Sequence, residues 1–378
     1  MVFKEACKTG RHIVIVGAGV QGEVILRLLE AQGIQPACFG DNDKAKQGQP
    51  YYGYSVLSLE DISFFYPNAI IIIAAVWHYP EIHKMLLDAG YVDLYKDTDL
   101  LETIELNSLT PDKRRAVAWK LAEHGYLDKS TFYLPRLNLV LTTRCTLKCD
   151  RCSSLMPEYT QPKDIETFIL LRSMQRLFDN VDYIGRMEVL GGEPFLHPQW
   201  DMVVETLAKS DKVFQIDIVT NGTIVPPDAM LNRIKYPHVR LSVNNYGRLS
   251  SKYESLIVKC KQLGINCLAH KHWKWAELGD FRFRCKTVEQ LTNLFKACSN
   301  SACTEIIDGK MYRCSRSSHG ATLGIVPYTE NDYVDLLSQP TREGLIEFFK
   351  KPFVTACNYC DGNIEGTLIL QPAIQRKT

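Results

Sequence analysis

The sequence has no surplus of charge of either sign: Lys+Arg 44 against Asp+Glu 43 leaves a formal net charge of +1. No global field therefore draws the chain to nucleic acid or to an anionic membrane. It has no apolar run of membrane length, since "AIIIIAAV" (69–76) is only eight residues and a span takes about 20. Its beginning, "MVFKEACKTGRHIVIVGAGV", has neither the unbroken apolar stretch nor the cleavage site of a signal peptide. No low-complexity tract is present, and no internal repeat beyond an alternation of strands and helices. A soluble, cytoplasmic protein with no membrane or nucleic-acid partner is expected. What remains is globular in kind, with 46% hydrophobic and 23% charged residues. At 378 residues the chain suits two or three domains rather than one core. Cysteine alone is abundant, with 13 residues. In a reducing compartment such density points to metal ligands or catalysts rather than disulfides.

The fold class expected is α/β. Residues 1–105 read as a small α/β domain of about four strands: "HIVIV", "PACFGDND", "AIIIIAAVW" and "VDLYKD", with helices at "EVILRLLEAQ" and "YPEIHKMLLDAG". That is about half of a double dinucleotide-binding unit. Residues 106–134 read as a linker with a helix opening at Thr110-Pro111. From 135 to 290 strand–helix pairs recur: "LNLVLTT", "MEVL", "VFQIDIVT", "VRLSVNN" and "INCLAH" are the strands. Five such pairs imply parallel strands wound one way, an open or partial barrel. Residues 291–378 are irregular and rich in cysteine.

"LTTRCTLKCDRCSSLMP" sets Cys145, Cys149 and Cys152 in a C-x₃-C-x₂-C array after the first barrel strand, where parallel barrels carry their chemistry. Three thiolates can hold one iron–sulfur cluster and leave an iron open to a small molecule, whereas closed electron-transfer clusters take four. A structural zinc site would need a fourth ligand. A second set lies in the last quarter: Cys298, Cys303, Cys314, Cys357 and Cys360. By residue type alone it suits a four-thiolate cluster and a zinc ribbon equally.

The first array resembles the signature of the radical S-adenosylmethionine (radical SAM) superfamily, and the likeness extends over residues 137–270. Gly191, Gly192, Glu193 and Pro194 resemble that family's contact to the methionine amine; "TNGT" (220–223) closes the third strand; "LSVNN" resembles the family's fourth strand, where Ser242 or a neighbour would meet the ribose or carboxylate of SAM. The resemblance implies a partial (β/α)6-type barrel with a catalytic [4Fe–4S] cluster on Cys145, Cys149 and Cys152. It implies SAM as cofactor and a low-potential electron donor such as flavodoxin or ferredoxin. One electron into the sulfonium would give a 5′-deoxyadenosyl radical that takes a hydrogen atom from substrate. Arg151 stands where the family often has an aromatic against adenine, and a guanidinium plane can also stack.

The later cysteines resemble the twitch or SPASM extension of radical SAM enzymes. The spacing to Gly309 favours Cys298, with Cys314, Cys357 and Cys360, as ligands of one auxiliary [4Fe–4S] cluster. Cys303 is then an alternative ligand or a free thiol. Radical SAM aminocyclitol dehydrogenases share this layout. No D-x-H-x-x-G cobalamin motif occurs. Cys260, Cys267 and Cys285 read as buried small hydrophobes, or with Cys303 as donors of a hydrogen atom to a substrate radical. Cys7 and Cys38 read as structural.

Gly17, Gly19 and Gly22 follow a strand and open a helix, with Asp41 nineteen residues on, the setting of a phosphate-binding turn with a ribose acceptor. The unit resembles small nucleotide-sugar domains attached to sugar acetyltransferases; a wing that only packs or dimerises is the alternative. "HKHWKWAELGD" (270–280) and "SRSSH" (315–319) are candidate substrate loops, the latter through Arg316 or His319, or simply a solvated loop and a hairpin cap. The expected function is hydrogen abstraction from a sugar, aminosugar or nucleotide-linked sugar, as a dehydrogenase whose auxiliary cluster accepts the electron. A carbohydrate epimerase or dehydratase, or a SPASM-type peptide maturase, are the alternatives.

Overall fold

The computed structural model describes residues 3–75, 78–96, 99–100, 130–270 and 275–376. The helix expected in the linker lies wholly outside this set, with only residues 130–134 of the linker inside it, and residues 271–274 of the first candidate loop lie outside it too. The chain divides into two compact units, residues 1–129 and 130–378. Both are α/β and built on parallel sheets.

In the first unit the strands are β1 (Ile13–Val16), β2 (Cys38–Gly40), β3 (Pro50–Tyr51), β4 (Tyr54–Leu57), β5 (Ile70–Ile73) and β6 (Leu94–Tyr95). They form one sheet in the order β3-β4-β2-β1-β5-β6. Six strands replace the four expected, because the β3–β4 hairpin is hidden in a Tyr- and Gly-rich stretch. Its turn residues Tyr52 and Gly53 have φ of 50° and 84°, as a tight two-residue hairpin requires. Helices α1 (Phe3–Cys7), α2 (Val20–Ala31), α3 (Leu59–Phe65) and α4 (Tyr79–Asp88) accompany the sheet. The runs IVIV and IIII of β1 and β5 are buried at every position, as befits central parallel strands.

The second unit opens with five parallel strands: β7 (Tyr133–Val140), β8 (Tyr183–Leu190), β9 (Val213–Thr220), β10 (Val239–Asn244) and β11 (Cys267–His270). Helices α5 (Thr167–Phe178), α6 (Trp200–Ala208), α7 (Asp228–Arg233) and α8 (Tyr253–Leu263) link them in turn. A short strand β12 (Trp275–Ala276) and helix α9 (Val288–Ala297) follow; α9 is started by a Thr287/Gln290 capping box. Then come β13 (Thr304–Ile307), β14 (Lys310–Tyr312), α10 (Ser315–Thr322), β15 (Tyr333–Asp335), α11 (Arg342–Lys350) and β16 (Ile369–Leu370). The sheet order is β11-β10-β9-β8-β7-β13-β14-β15, with β12 and β16 paired apart. β13 runs parallel to β7 at Thr304↔Leu137, so the cysteine-rich part shares the barrel's sheet. Among the described residues this sheet is open, with β11 and β15 at its edges.

Strand alternation gives the sheet two unlike faces. Leu137, Leu139, Met187, Val189, Ile216, Ile218, Leu241 and Val243, all fully buried, form one core. The alternate positions carry Arg136, Asn138, Arg186, Glu188, Gln215, Asp217, Arg240 and Ser242. That second, polar face lines the lumen.

Candidate functional site

The loop after β7 carries Cys145, Cys149 and Cys152 among Leu147, Leu249, Tyr246, Trp275 and Ala373. Left-handed backbone at Arg151 (φ 55°) and Leu155 (φ 51°) curls the loop. Gly191 and Gly192 let the end of β8 lie against it. A Cβ on Gly192 would stand 2.2 Å from Arg144 O and 2.6 Å from Cys145 Cβ, and one on Gly191 2.4 Å from Thr142 O. Burial pushes the Cys145 thiol up to about 12, and raises Cys149 and Cys152 too. Thiols so placed become thiolates only with a cation beside them, which fits a metal cluster and its proton-releasing assembly.

Glu193, placed by sequence at the methionine amine, is fully buried. Its carboxylate accepts from Thr220 Oγ1 at 2.8 and 3.0 Å, from the Asn221 N–H at 2.9 Å and from the Phe195 N–H at 3.3 Å. It thereby ties the loop after β8 to the end of β9. Pro194, also buried, starts the short turn Pro194–Leu196. Asn221, whose part the sequence reading passed over, turns its Nδ2 to Thr146 Oγ1 at 3.0 Å and to Cys145 Sγ at 3.8 Å. Ser242 Oγ shares a 2.9 Å hydrogen bond with His270 Nε2. Arg151 pairs with Glu277 at 3.3 Å.

In the second cysteine set the structure separates the candidates. Cys298, Cys314, Cys357 and Cys360 line one cavity together with Leu294, Phe295 and Ala356. Cys303 faces a different one. Burial drives Cys314 far up, Cys357 up to about 11 and Cys360 upward. Among the described residues no three His, Cys, Asp or Glu side chains close to the distances of a single metal ion. By residue type the four thiols suit either a four-thiolate cluster or zinc.

Between the two cysteine sites lies a lumen cavity of about 300 Å³. It is lined by Arg136, Asn138, Glu188 and Glu305 from the strands, by Arg151, Ser153 and Ser154 from the cysteine loop, and by Trp275, Asn300, Cys303 and Asn363. Arg136 pairs with Glu188 at 2.5 Å, and Arg240 with Asp217 at 2.6 Å. The sequence reading passed over this polar face, though the period-two alternation in "RLNL", "RMEV", "QIDI" and "RLSV" was its signal. Leu278, Asn300 and Asn363 wall both this cavity and the four-cysteine one.

"SRSSH" is the start of helix α10 and not a hairpin cap. Arg316 donates to Gly279 O and Asp280 O and lies 3.7 Å over the Phe281 ring. His319, fully buried, stands 3.2 Å from Glu305 and 2.7 Å from the Tyr159 hydroxyl. Cys260 is buried on α8 beside Cys267, and Cys285 is exposed. All thirteen cysteines are free. In the first unit, Asp41 accepts from the N–H groups of Ala18 and Asp43 at 2.9 Å and pairs with Lys46 at 2.8 Å. It thus clamps the glycine turn from within. Among the described residues no helix is long and apolar enough to cross a membrane.

A family profile described as "C2185-like, N-terminal" matches residues 9–96. The GTP 3′,8-cyclase of Haemophilus ducreyi is 23% identical over 268 residues, covering 62% of this chain and 76% of its own length. That of Aquifex aeolicus is 26% identical over 160 residues, 37% of this chain and 48% of its own. That of Stenotrophomonas maltophilia is 30% identical over 94 residues, 24% and 28%. The chain thus spans three quarters of the first relative and half or less of the other two. BtrN in complex with AdoMet and 2-DOIA overlaps 64% of this chain and 100% of its own at a TM-score of 0.40 and 12% identity. Streptococcus suis SuiB overlaps 68% and 74% at a TM-score of 0.30 and 16% identity. Those two scores are too low to argue function. The cyclase relatives, taken with the three-cysteine array, support the radical SAM superfamily for this chain.

Proposed function

We propose that the chain is a radical SAM dehydrogenase acting on a sugar, aminosugar or nucleotide-linked sugar. The observation that carries the reading is the lumen cavity, set between a three-cysteine loop and a four-cysteine pocket and sharing walls with the latter. Its size is at the low end of small-molecule sites, which speaks against a peptide substrate. Its lining suits a polyhydroxylated ring: amides of Asn138, Asn300 and Asn363 and hydroxyls of Ser153 and Ser154 offer donors and acceptors. Trp275 offers an apolar face for ring C–H groups.

Turning an alcohol carbon into a ketone releases a hydrogen atom, a proton and an electron. When bound at Cys145, Cys149 and Cys152, a [4Fe–4S] cluster with SAM supplies the radical that takes the hydrogen atom, and a second on Cys298, Cys314, Cys357 and Cys360 supplies an electron sink. The residues of the lumen hold the ring and exclude water; the Arg136–Glu188 pair keeps its charges matched without ligand. A flavodoxin or ferredoxin in the cytoplasm would deliver the first electron. The N-terminal unit, in this reading, binds a nucleotide through the Gly17–Gly22 turn.

The test replaces Cys314 and Cys357 together by Ala in protein that stays folded. Ketone from the parent protein, with 5′-deoxyadenosine but no ketone from the variant, supports the reading; ketone from the variant at the unaltered rate overturns the electron-sink role of the four-cysteine site, and no ketone from the parent overturns dehydrogenation. Cys303 on the lumen wall favours one second reading, an epimerase in which this thiol returns a hydrogen atom. That reading predicts solvent deuterium at an inverted carbon, abolished by Cys303→Ala.

A further inference from the structure

Two of the three array cysteines receive hydrogen bonds at sulfur from their own loop. The Leu147 N–H lies 3.4 Å from Cys145 Sγ, and the amides of Ser154, Leu155 and Met156 face Cys152. Cys149 is served from 226 residues away, where Gln375 Nε2 donates to its Sγ at 3.1 Å. The Gln375 amide cannot turn over. Its Oε1 accepts from the Lys148 N–H at 2.8 Å, while Nε2 also donates to Ala373 O at 2.9 Å.

The backbone around Gln375 is stitched to the same loop. Cys149 and Gln375 form an antiparallel bridge, flanked by Asp150 N–H to Ile374 O at 2.6 Å and Arg376 N–H to Lys148 O at 2.9 Å. Ala373 is 1% exposed and packs with Leu147 and Cys149. It holds φ 58°, a left-handed conformation that a non-glycine residue keeps where its surroundings impose it. Arg376 closes the segment with ion pairs to Glu158 and Asp150.

We propose that residues 373–376 are a strap that completes the three-cysteine site, with Gln375 as a positioning residue that tunes the iron–sulfur group there and shields it from solvent. The electronic half of this rests on the reading that Cys145, Cys149 and Cys152 hold such a cluster. An N–H dipole aimed at a ligand sulfur draws off electron density, favours the reduced state and so raises the reduction potential. Because the donor belongs to a separate segment, strap position and cluster potential are linked.

The strap is tested without a cluster. Reduced, full-length apoprotein is pulsed with iodoacetamide, and labelling of Cys149 is read by peptide mass spectrometry against Cys145 as internal reference. Ala373→Arg does not fit a site this enclosed, so it dislodges the strap and raises the Cys149/Cys145 labelling ratio about tenfold, as local opening does. An unchanged ratio in folded protein overturns the strap. Gln375 is tested in reconstituted protein lacking Cys314 and Cys357, so that one cluster is observed. Gln375→Leu and the near-isosteric Gln375→Glu should keep their iron and move the midpoint potential of an EPR-monitored titration negative, which a merely structural residue would not do. An unmoved potential in both overturns the tuning role. Absence of iron from the array in the parent protein overturns the radical SAM reading and the tuning role together, while the labelling ratio still decides the strap.

Discussion

Two carboxylates with no exposed surface titrate in opposite directions, and the neighbours explain why. Burial pushes Glu193 up to about 7, only partly offset by the Asn221 amide, the Thr220 hydroxyl and the Phe195 amide. Burial acts the same way on Glu305, yet the His319 ring, Ser318 and Asn138 outweigh it and hold that group below its ordinary value. Neutral dipoles lose to desolvation at one site; an ionisable partner wins at the other. Glu193 binds its proton more tightly folded than unfolded, so its stabilisation is full below the ordinary carboxylate range and is lost as pH rises through about 7. Glu305 contributes above the ordinary range and loses that contribution as pH falls through its lowered value. Urea denaturation of apoprotein should therefore find Glu193→Gln less costly at about pH 8 than at about pH 5. Glu305→Gln should cost roughly 2–4 kcal/mol at neutral pH, and less as the medium becomes acid.

At the scale of the element, the fingerprint turn of the first unit sorts its three glycines. Gly17 has φ 120°, and a Cβ there would lie 2.6 Å from Ala74 O; at Gly22 it would lie 2.1 Å from Gly17 O. Around Gly19 nothing stands within 4 Å. Thermal unfolding should show Gly17→Ala and Gly22→Ala each destabilising the unit by about 2–4 kcal/mol, with Gly19→Ala within about 1 kcal/mol of the parent. If the turn holds a nucleotide, Gly19→Ala should lower the thermal protection given by a UDP-sugar while leaving the unliganded protein unaltered. The strand-turn-helix and its glycines were legible because local chain geometry demands them. Asp41's clamp on Ala18 was not, since a carboxylate after the second strand reads alike whether it holds a ribose or its own backbone. In the second unit the β13–β14 turn is Asp308-Gly309, whose φ values of 49° and 81° suit a tight two-residue turn.

Across the whole molecule, the order of the five barrel strands could be read from alternation alone, because each β/α pair is a local event. The pairing of β13 with β7 could not. It joins residues more than 160 positions apart and leaves no local mark, so a stretch that reads as an appendage is part of the barrel's own sheet. A still longer separation, 226 residues, hid Gln375 from Cys149. The division of the late cysteines was half legible: spacing favoured Cys298 over Cys303, and the two cavities separate them. Reconstituted protein should hold about eight irons per chain, the content of two [4Fe–4S] clusters. Replacing Cys145, Cys149 and Cys152 by Ala should leave about four and abolish SAM cleavage. Iron and acid-labile sulfide assays check the count, and zinc in the remaining site would contradict it.

The bond between β13 and β7 has a mechanical meaning. β7 runs on towards Cys145, while β13 begins just after Cys303, level with Leu137, and β14 returns towards Cys314. The two cysteine sites therefore hang from opposite ends of one hydrogen-bonded ladder, with the lumen between them. A ladder of this kind stretches far less than a tether, so any tunnelling gap between the sites is a fixed length of the fold.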